Sequence, residues 1–213
     1  MFPFTSISIL SFIGVAIGSV CRDGVHNVFT IDSIGNDSLP VIVRNITIFV
    51  YDVDMKPSCY NKKVNVVLPG YFVIKSGEVE TSRDFDVVKS GDVAVSIALD
   101  GDNICLNGHS DMVIVPDSLC NFEMCSFVPV DICELLETKG LHTLEELEEK
   151  KAFNATLELP PSPNFLGISL LDILKGNYRI KIAIKSNGEK IAEFAIPTGY
   201  IDLKMGMRED EDD

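Results

Sequence analysis

The sequence predicts an all-β fold, an antiparallel immunoglobulin-like β-sandwich or β-cup with one short helix, and three observations carry that expectation. Gly176 to Ile196 reads as a single hairpin: Tyr178, Ile180, Ile182 and Ile184 alternate with charged Arg179, Lys181 and Lys185, and Ser186-Asn187-Gly188 supplies a tight turn. Short β-type runs recur between Phe29 and Leu99, punctuated by Gly70, Gly77, Gly91 and Gly101. The helix-length crossovers that a parallel sheet would need between those runs are missing.

Taken in order, Val41 to Val50 is rich in β-branched residues. Lys63 to Leu68 alternates at Val64, Val66 and Leu68, and Val93 to Leu99 alternates at Val93, Val95, Ile97 and Leu99. Asp100-Gly101-Asp102-Asn103 fits a hairpin turn, since a calcium loop would carry a glutamate at its twelfth position. Thr143-Leu144-Glu145-Glu146 fits a capping box and predicts a helix ending near Lys150-Lys151, where cations suit the helix dipole. The return strand through Ile191, Phe194 and Ile196 has a less regular apolar face, which predicts a bulge near Ala192 or Glu193.

Residues 1 to 18 carry no charge, and the apolar run from Ile7 to Ile17 is too short to span a bilayer. It reads as a signal peptide cleaved after Gly18, although the usual basic start is missing. About 195 residues then remain, enough for one domain over residues 19–206, followed by an acidic disordered tail, 207–213. Six cysteines, Cys21, Cys59, Cys105, Cys120, Cys125 and Cys133, suggest three disulfides in an exported chain. Metal binding is disfavoured because no Cys-x-x-Cys pair exists and His26, His109 and His142 are scattered, so no metal or cofactor is expected. Sequons at Asn36, Asn45 and Asn154 fit glycosylation of a secreted or lysosomal protein.

The net charge of −14 argues against nucleic acid as a partner and against constitutive adsorption to anionic membranes. Protonation of carboxylates near pH 4.5 would relieve that repulsion, so acidity is expected to act as a switch for membrane contact. An enzyme is not expected: there is no Gly-x-Ser-x-Gly elbow, and Gly108-His109-Ser110-Asp111 lacks the spacing of a triad.

The terminal hairpin with its Gly-Asn-Tyr-Arg-Ile start resembles the last hairpin of the ganglioside GM2 activator branch of the MD-2-related lipid-recognition (ML) family. Val41 to Ile48, with its embedded sequon, resembles the family's early strand. Cys120-Asn121-Phe122-Glu123-Met124-Cys125 resembles a Cys-Thr-Phe-Glu-containing segment one residue longer, and Cys133 to Leu141 resembles the next cysteine and its Tyr-Gly-Leu neighbourhood. The chain departs from the pattern at Glu193-Phe194-Ala195, where a last-strand cysteine is missing, after Leu141, where two more are absent, and at Cys59, which has no counterpart. The disulfides must therefore be rewired. Of fifteen pairings, Cys21 with Cys59, Cys105 with Cys120 and Cys125 with Cys133 is favoured, because it leaves no orphan and closes local loops; each is worth roughly 2 to 4 kcal/mol.

The resemblance implies a non-enzymatic lipid-binding and transfer protein that holds lipid or glycolipid acyl chains between its sheets, touches membrane transiently, and serves a glycosidase or a receptor. Val64, Val66, Leu68, Val93, Val95, Ile97, Ile180, Ile182 and Ile184 are then cavity wall as well as core. Phe165, Leu166, Ile168, Leu170, Leu171, Ile173 and Leu174, within a stretch whose only charge is Asp172, are either a buried element or a lid at the cavity mouth. Phe127 and Val128, between Cys125 and Cys133, are a second rim candidate.

Overall fold

The computed structural model describes residues 21–35, 38–113, 115–126, 128, 130–161, 164–165, 168–169 and 175–207. The predicted signal peptide, Asn36 and the tail from 208 onward lie outside these residues. The chain is mostly β. Its first half supplies β1 (Val28–Ser33), β2 (Val41–Asp52), β3 (Cys59–Tyr60), β4 (Lys63–Val66), β5 (Gly70–Thr81), α1 (Val87–Ser90) and β6 (Gly91–Leu99). Then follow β7 (Asp102–Leu106), β8 (His109–Ser110), β9 (Asn121–Glu123), α2 (Val130–Glu137), β10 (Gly140–Thr143), α3 (Leu144–Lys151) and β11 (Thr156–Leu159). The last elements are β12 (Asn164–Phe165), β13 (Ile168–Ser169), β14 (Gly176–Ser186), β15 (Glu189–Ile196) and β16 (Leu203–Met205).

β1 pairs with β2 on one side and β15 on the other, so hydrogen bonding runs without a break through β5-β2-β1-β15-β14-β6. β10 and β11 share the outer edge of β5, and β7 and β9 lie along β6. Every pairing of these strands is antiparallel; β16 with β4 is parallel, which makes the curled sheet mixed.

The terminal hairpin forms as predicted, with Ser186 opposite Glu189 and Asn187 and Gly188 both at positive φ, the geometry of a primed hairpin turn. Its bulge falls at Ile191, just before the predicted place, because Ile184 faces Ala192 while Lys185 faces Lys190. The extra residue lets Ile191 and Ala192 both be buried, which strict alternation forbids. Thr143 caps α3 by accepting the Glu146 backbone N–H, and Glu146 bonds Lys150 one turn later at 2.6 Å.

Two expectations need correction. The described residues hold three α-helices rather than one, since α1 and α2 also form. Gly70 and Gly91 open β5 and β6, as punctuation should, but Gly77 lies inside a strand rather than between two. Gly77 sits at φ +142 within β5, where the register against β2 shifts between Arg44 and Thr47, and a Cβ there would lie 2.6 Å from Ile46 Cγ1.

Two apolar clusters fill the curl. Phe29, Ile31, Ile48, Val50, Val66 and Leu203 close one end, with the Phe29 and Phe72 rings edge to face at 5.8 Å. Val41, Val87, Val93, Val95, Met124, Leu136, Ile184 and Ile191 form the other.

Gly77→Ala is expected to lower unfolding free energy by about 1–3 kcal/mol, because the new methyl meets the Ile46 backbone and the conformation disfavours a side chain. Urea denaturation measures it, and an unchanged midpoint would show that the bulge relaxes freely.

Candidate functional site

The concave side of the sheet is not filled throughout. Val41, Val43 and Ile46 on β2 and Val79 on β5 face Val93 on β6, Ile182 and Ile184 on β14 and Phe194 on β15 across a cavity of about 270 Å³. Phe122, Met124, Val128, Ile132 and Leu136 complete its wall, so every lining residue is apolar. α2 supplies the roof. Ile132, Cys133 and Leu136 recur at helical spacing, and Cys133 and Leu136 are buried while Val130 is exposed. Pairing of Cys133 with Cys125 fixes the middle of this helix to the preceding turn, and Glu137 accepts the Val88 N–H at 3.1 Å, tying its end to α1.

A side lobe of about 100 Å³ adjoins the chamber, and Ile46, Val79 and Ile132 line both. Leu144 and Leu147 of α3, Phe153 and Ile74 continue its wall, and Ser76, Glu78, His142 and Thr143 are its polar members. His142 Nε2 lies 2.9 Å from the Thr138 carbonyl, which makes that nitrogen the donor.

The residues expected to line a cavity separate into three groups. Val93, Ile182, Ile184 and Val128 do line it. Val66 is packed in the closed end, Val95 is buried core, and Ile97 and Ile180 pack against core clusters. Val64 lines an outer groove with Phe29 and Pro197, and half-buried Leu68 follows β4. None of these last six borders the chamber. Of the lid stretch, Asn164–Phe165 and Ile168–Ser169 pair as a two-stranded hairpin, with Phe165 opposite Ile168. Leu166, Leu170, Leu171, Ile173 and Leu174, like Phe127, lie outside the described residues.

Sequence reasoning missed Val41, Val43 and Val79 as wall, although Val41 and Val43 alternate within the recognised β-run. It also missed α2, whose signal is Ile132, Cys133 and Leu136 on one face with Glu134 and Glu137 on the other.

The three disulfides are the expected ones: Cys21–Cys59, Cys105–Cys120 and Cys125–Cys133. Asn45 is exposed at φ +51 in the bulge, and exposed Asn154 accepts the Thr156 N–H, so both sequons reach solvent. At the Gly108–Asp111 cluster the Ser110 hydroxyl donates to the Met112 carbonyl while His109 lies 3.8 Å from Asp117. No group of three potential metal ligands occurs among the described residues, and no described helix is long and apolar enough to cross a membrane.

Two ionisable groups flank the wall. Burial, with a smaller effect from Asp100, pushes the Tyr178 phenol up to about 12, so it stays neutral. Burial also pushes Glu193 upward, but Lys190 at 2.9 Å and Lys181 at 3.4 Å outweigh it and hold the carboxyl below its ordinary 4.5. A carboxyl lowered by folding stabilises the native state above its unfolded pKa and loses that contribution as pH falls through the folded one.

Comparison of the chain with protein-family models and with curated proteins finds no match.

Two outcomes are expected. Val79→Leu, which points into empty space, changes stability by less than about 0.5 kcal/mol, whereas Val50→Leu in the closed end costs about 1–3 kcal/mol; equal losses would mean the chamber closes up. Glu193→Gln lowers the melting temperature at pH 7 by about 1–3 °C, and the gap narrows as pH falls below the ordinary glutamate value. A gap that widens in acid would contradict the lowered pKa.

Proposed function

We propose that this is a non-enzymatic lipid-binding and transfer protein of the secretory or lysosomal route, which holds an acyl chain in a β-cup of immunoglobulin-like build and gives it up to a membrane or a partner. The wholly apolar chamber of about 270 Å³ carries the reading. A dry apolar cavity of about 150 Å³ takes one benzene ring, so this one takes roughly eleven carbons. Burying that length is worth about 9 kcal/mol relative to water. A chain leaving a bilayer is already in hydrocarbon, so transfer is close to balance and the protein's part is to keep the chain out of water on the way.

The roof is the part that must yield. α2 has eight residues, too few to be stable alone, and its attachment at Cys133 provides a fixed point about which it can swing. In its fuller form this reading has the protein present a glycolipid to a hydrolase, with α2 displaced by the larger ligand. The ML resemblance of the hairpin and cysteine segments agrees with it.

Native mass spectrometry of the full secreted chain is expected to show one lipid adduct per molecule, and Val43→Phe combined with Ile182→Phe is expected to remove it without loss of fold. Wild-type protein that is always lipid-free and moves no fluorescent lipid between vesicles would sink the reading. Binding to anionic vesicles is expected to be stronger at pH 4.5 than at pH 7, because protonation reduces the −14 charge; equal binding at the two pH values would remove the acid switch.

A further inference from the structure

The chamber's side lobe reaches the edge of β5 that β10 and β11 share. β10 pairs with β5 from Glu78 to Thr81, and β11 pairs with it from Gly70 to Val73. The β11 side ends where the Ile74 N–H donates to the Ala155 carbonyl, so among the described residues 75–77 of β5 have no strand partner on that edge, and Leu144 and Leu147 of α3 lie there instead. The side lobe lies under this gap. It is also where the cavity system changes character, since the main chamber has only apolar lining and the side lobe adds Ser76, Glu78, His142 and Thr143. Ser76 is exposed, and Glu78, His142 and Thr143 are half-buried, so these groups sit where the lobe reaches water.

Resting on the lipid-carrier reading, we infer that the gap between β10 and β11 holds the head of the ligand, and that the ligand is a single-chain amphiphile with a small uncharged hydroxyl head. Volume comes first: on the scale of one benzene ring per about 150 Å³, chamber and side lobe together take roughly fifteen carbons, enough for one chain and too few for two.

Hydrogen bonding comes second. His142 Nε2–H is used by the Thr138 carbonyl, which in the neutral ring leaves Nδ1 as an acceptor. Thr143 Oγ1 accepts from the Glu146 N–H, and its own hydrogen has no acceptor among the described residues. An acceptor and a donor on adjacent residues match a hydroxyl, which both gives and takes one hydrogen bond. Charge comes third. Glu78 lines the lobe, with Arg44 3.6 Å away but closer to Glu80 at 2.7 Å, and Glu146 beside the lobe is bonded to Lys150. A carboxylate or phosphate head would meet Glu78 in a lobe whose described lining holds no lysine or arginine, whereas an alcohol meets no such penalty.

The test uses the full chain stripped of lipid and tetradecan-1-ol carrying a diazirine at carbon 2 or at carbon 13. Cross-links from carbon 2 are expected on Ser76 or residues 142–147, and those from carbon 13 on Val93, Phe122 or Ile184. Ser76→Trp, at an exposed position, is expected to weaken tetradecanol binding at least tenfold with an unchanged melting temperature. Dimyristoyl phosphatidylcholine is expected to bind at least tenfold more weakly than the alcohol. Carbon-2 labelling at Val128 or Leu136, full binding by Ser76→Trp, or a two-chain lipid binding as tightly as the alcohol would overturn this inference and leave the carrier reading standing. Failure of both lipids to bind would overturn the two together.

Discussion

The pairing of β1 with both β2 and β15 is the constraint on which the rest depends. Were β1 bonded on one side only, the β2-β5 and β14-β6 pairs could separate and each would need its own cover. Because β1 joins them, the apolar side of the sheet curls to face itself, and everything inside is shared between the two halves. The packing shows this: Val79, Ile180 and Phe194 each pack against both core clusters. The Ile34 N–H donation to Glu193 and the Thr198 N–H donation to Thr30 extend the β1–β15 seam past the formal strands. Asn27, fully buried just before β1, adds bonds to Val50 and Asp23 and fixes where the β1–β2 pairing begins.

Given that curl, side-chain reach decides which end is full. At the closed end Phe29 and Phe72 meet across the interior, with Ile31, Ile48 and Leu203 around them. At the other end the facing walls carry Val41, Val43, Val79 and Val93, whose side chains stop one carbon beyond Cβ. Sheets that face each other stand about 10 Å apart, and opposed valines do not span that distance. The remaining space is roofed by α2, held at Cys133 and Glu137, and this is why the disulfides cluster there: Cys105–Cys120 and Cys125–Cys133 both flank the chamber's β6, β9 and α2 side. Cross-links that restrict the unfolded chain offset the contacts that an unfilled core lacks.

Much of the architecture was legible in local pattern. Alternation in Tyr178 to Ile184, the Asn187-Gly188 turn and the Thr143 cap each rest on interactions within a few residues, and each appears as read. What failed depended on partners distant in sequence. Gly77 looks like a strand terminator until Ile46 is placed against it, and the need for a glycine comes from that approach. α2 was hidden because its eight residues follow Pro129 in a segment read through its cysteines, and its apolar face has only Ile132, Cys133 and Leu136 to announce it. Wall and core were indistinguishable in one dimension: Val93 and Val95 share one alternating run, yet only Val93 borders the chamber. The polar members of the side lobe come from β5 and β10, segments joined only by strand pairing, so no local motif could have grouped them.

The central claim is that a dry, apolar space lies between the valine walls beneath α2. A crystal structure of the protein under xenon gas tests it most directly, since xenon enters apolar cavities of this size without needing any head-group recognition. The account predicts xenon in contact with Val43, Val93 and Ile182. Walls closed together around that position, with xenon absent or confined to the outer groove beside Val64, would contradict it.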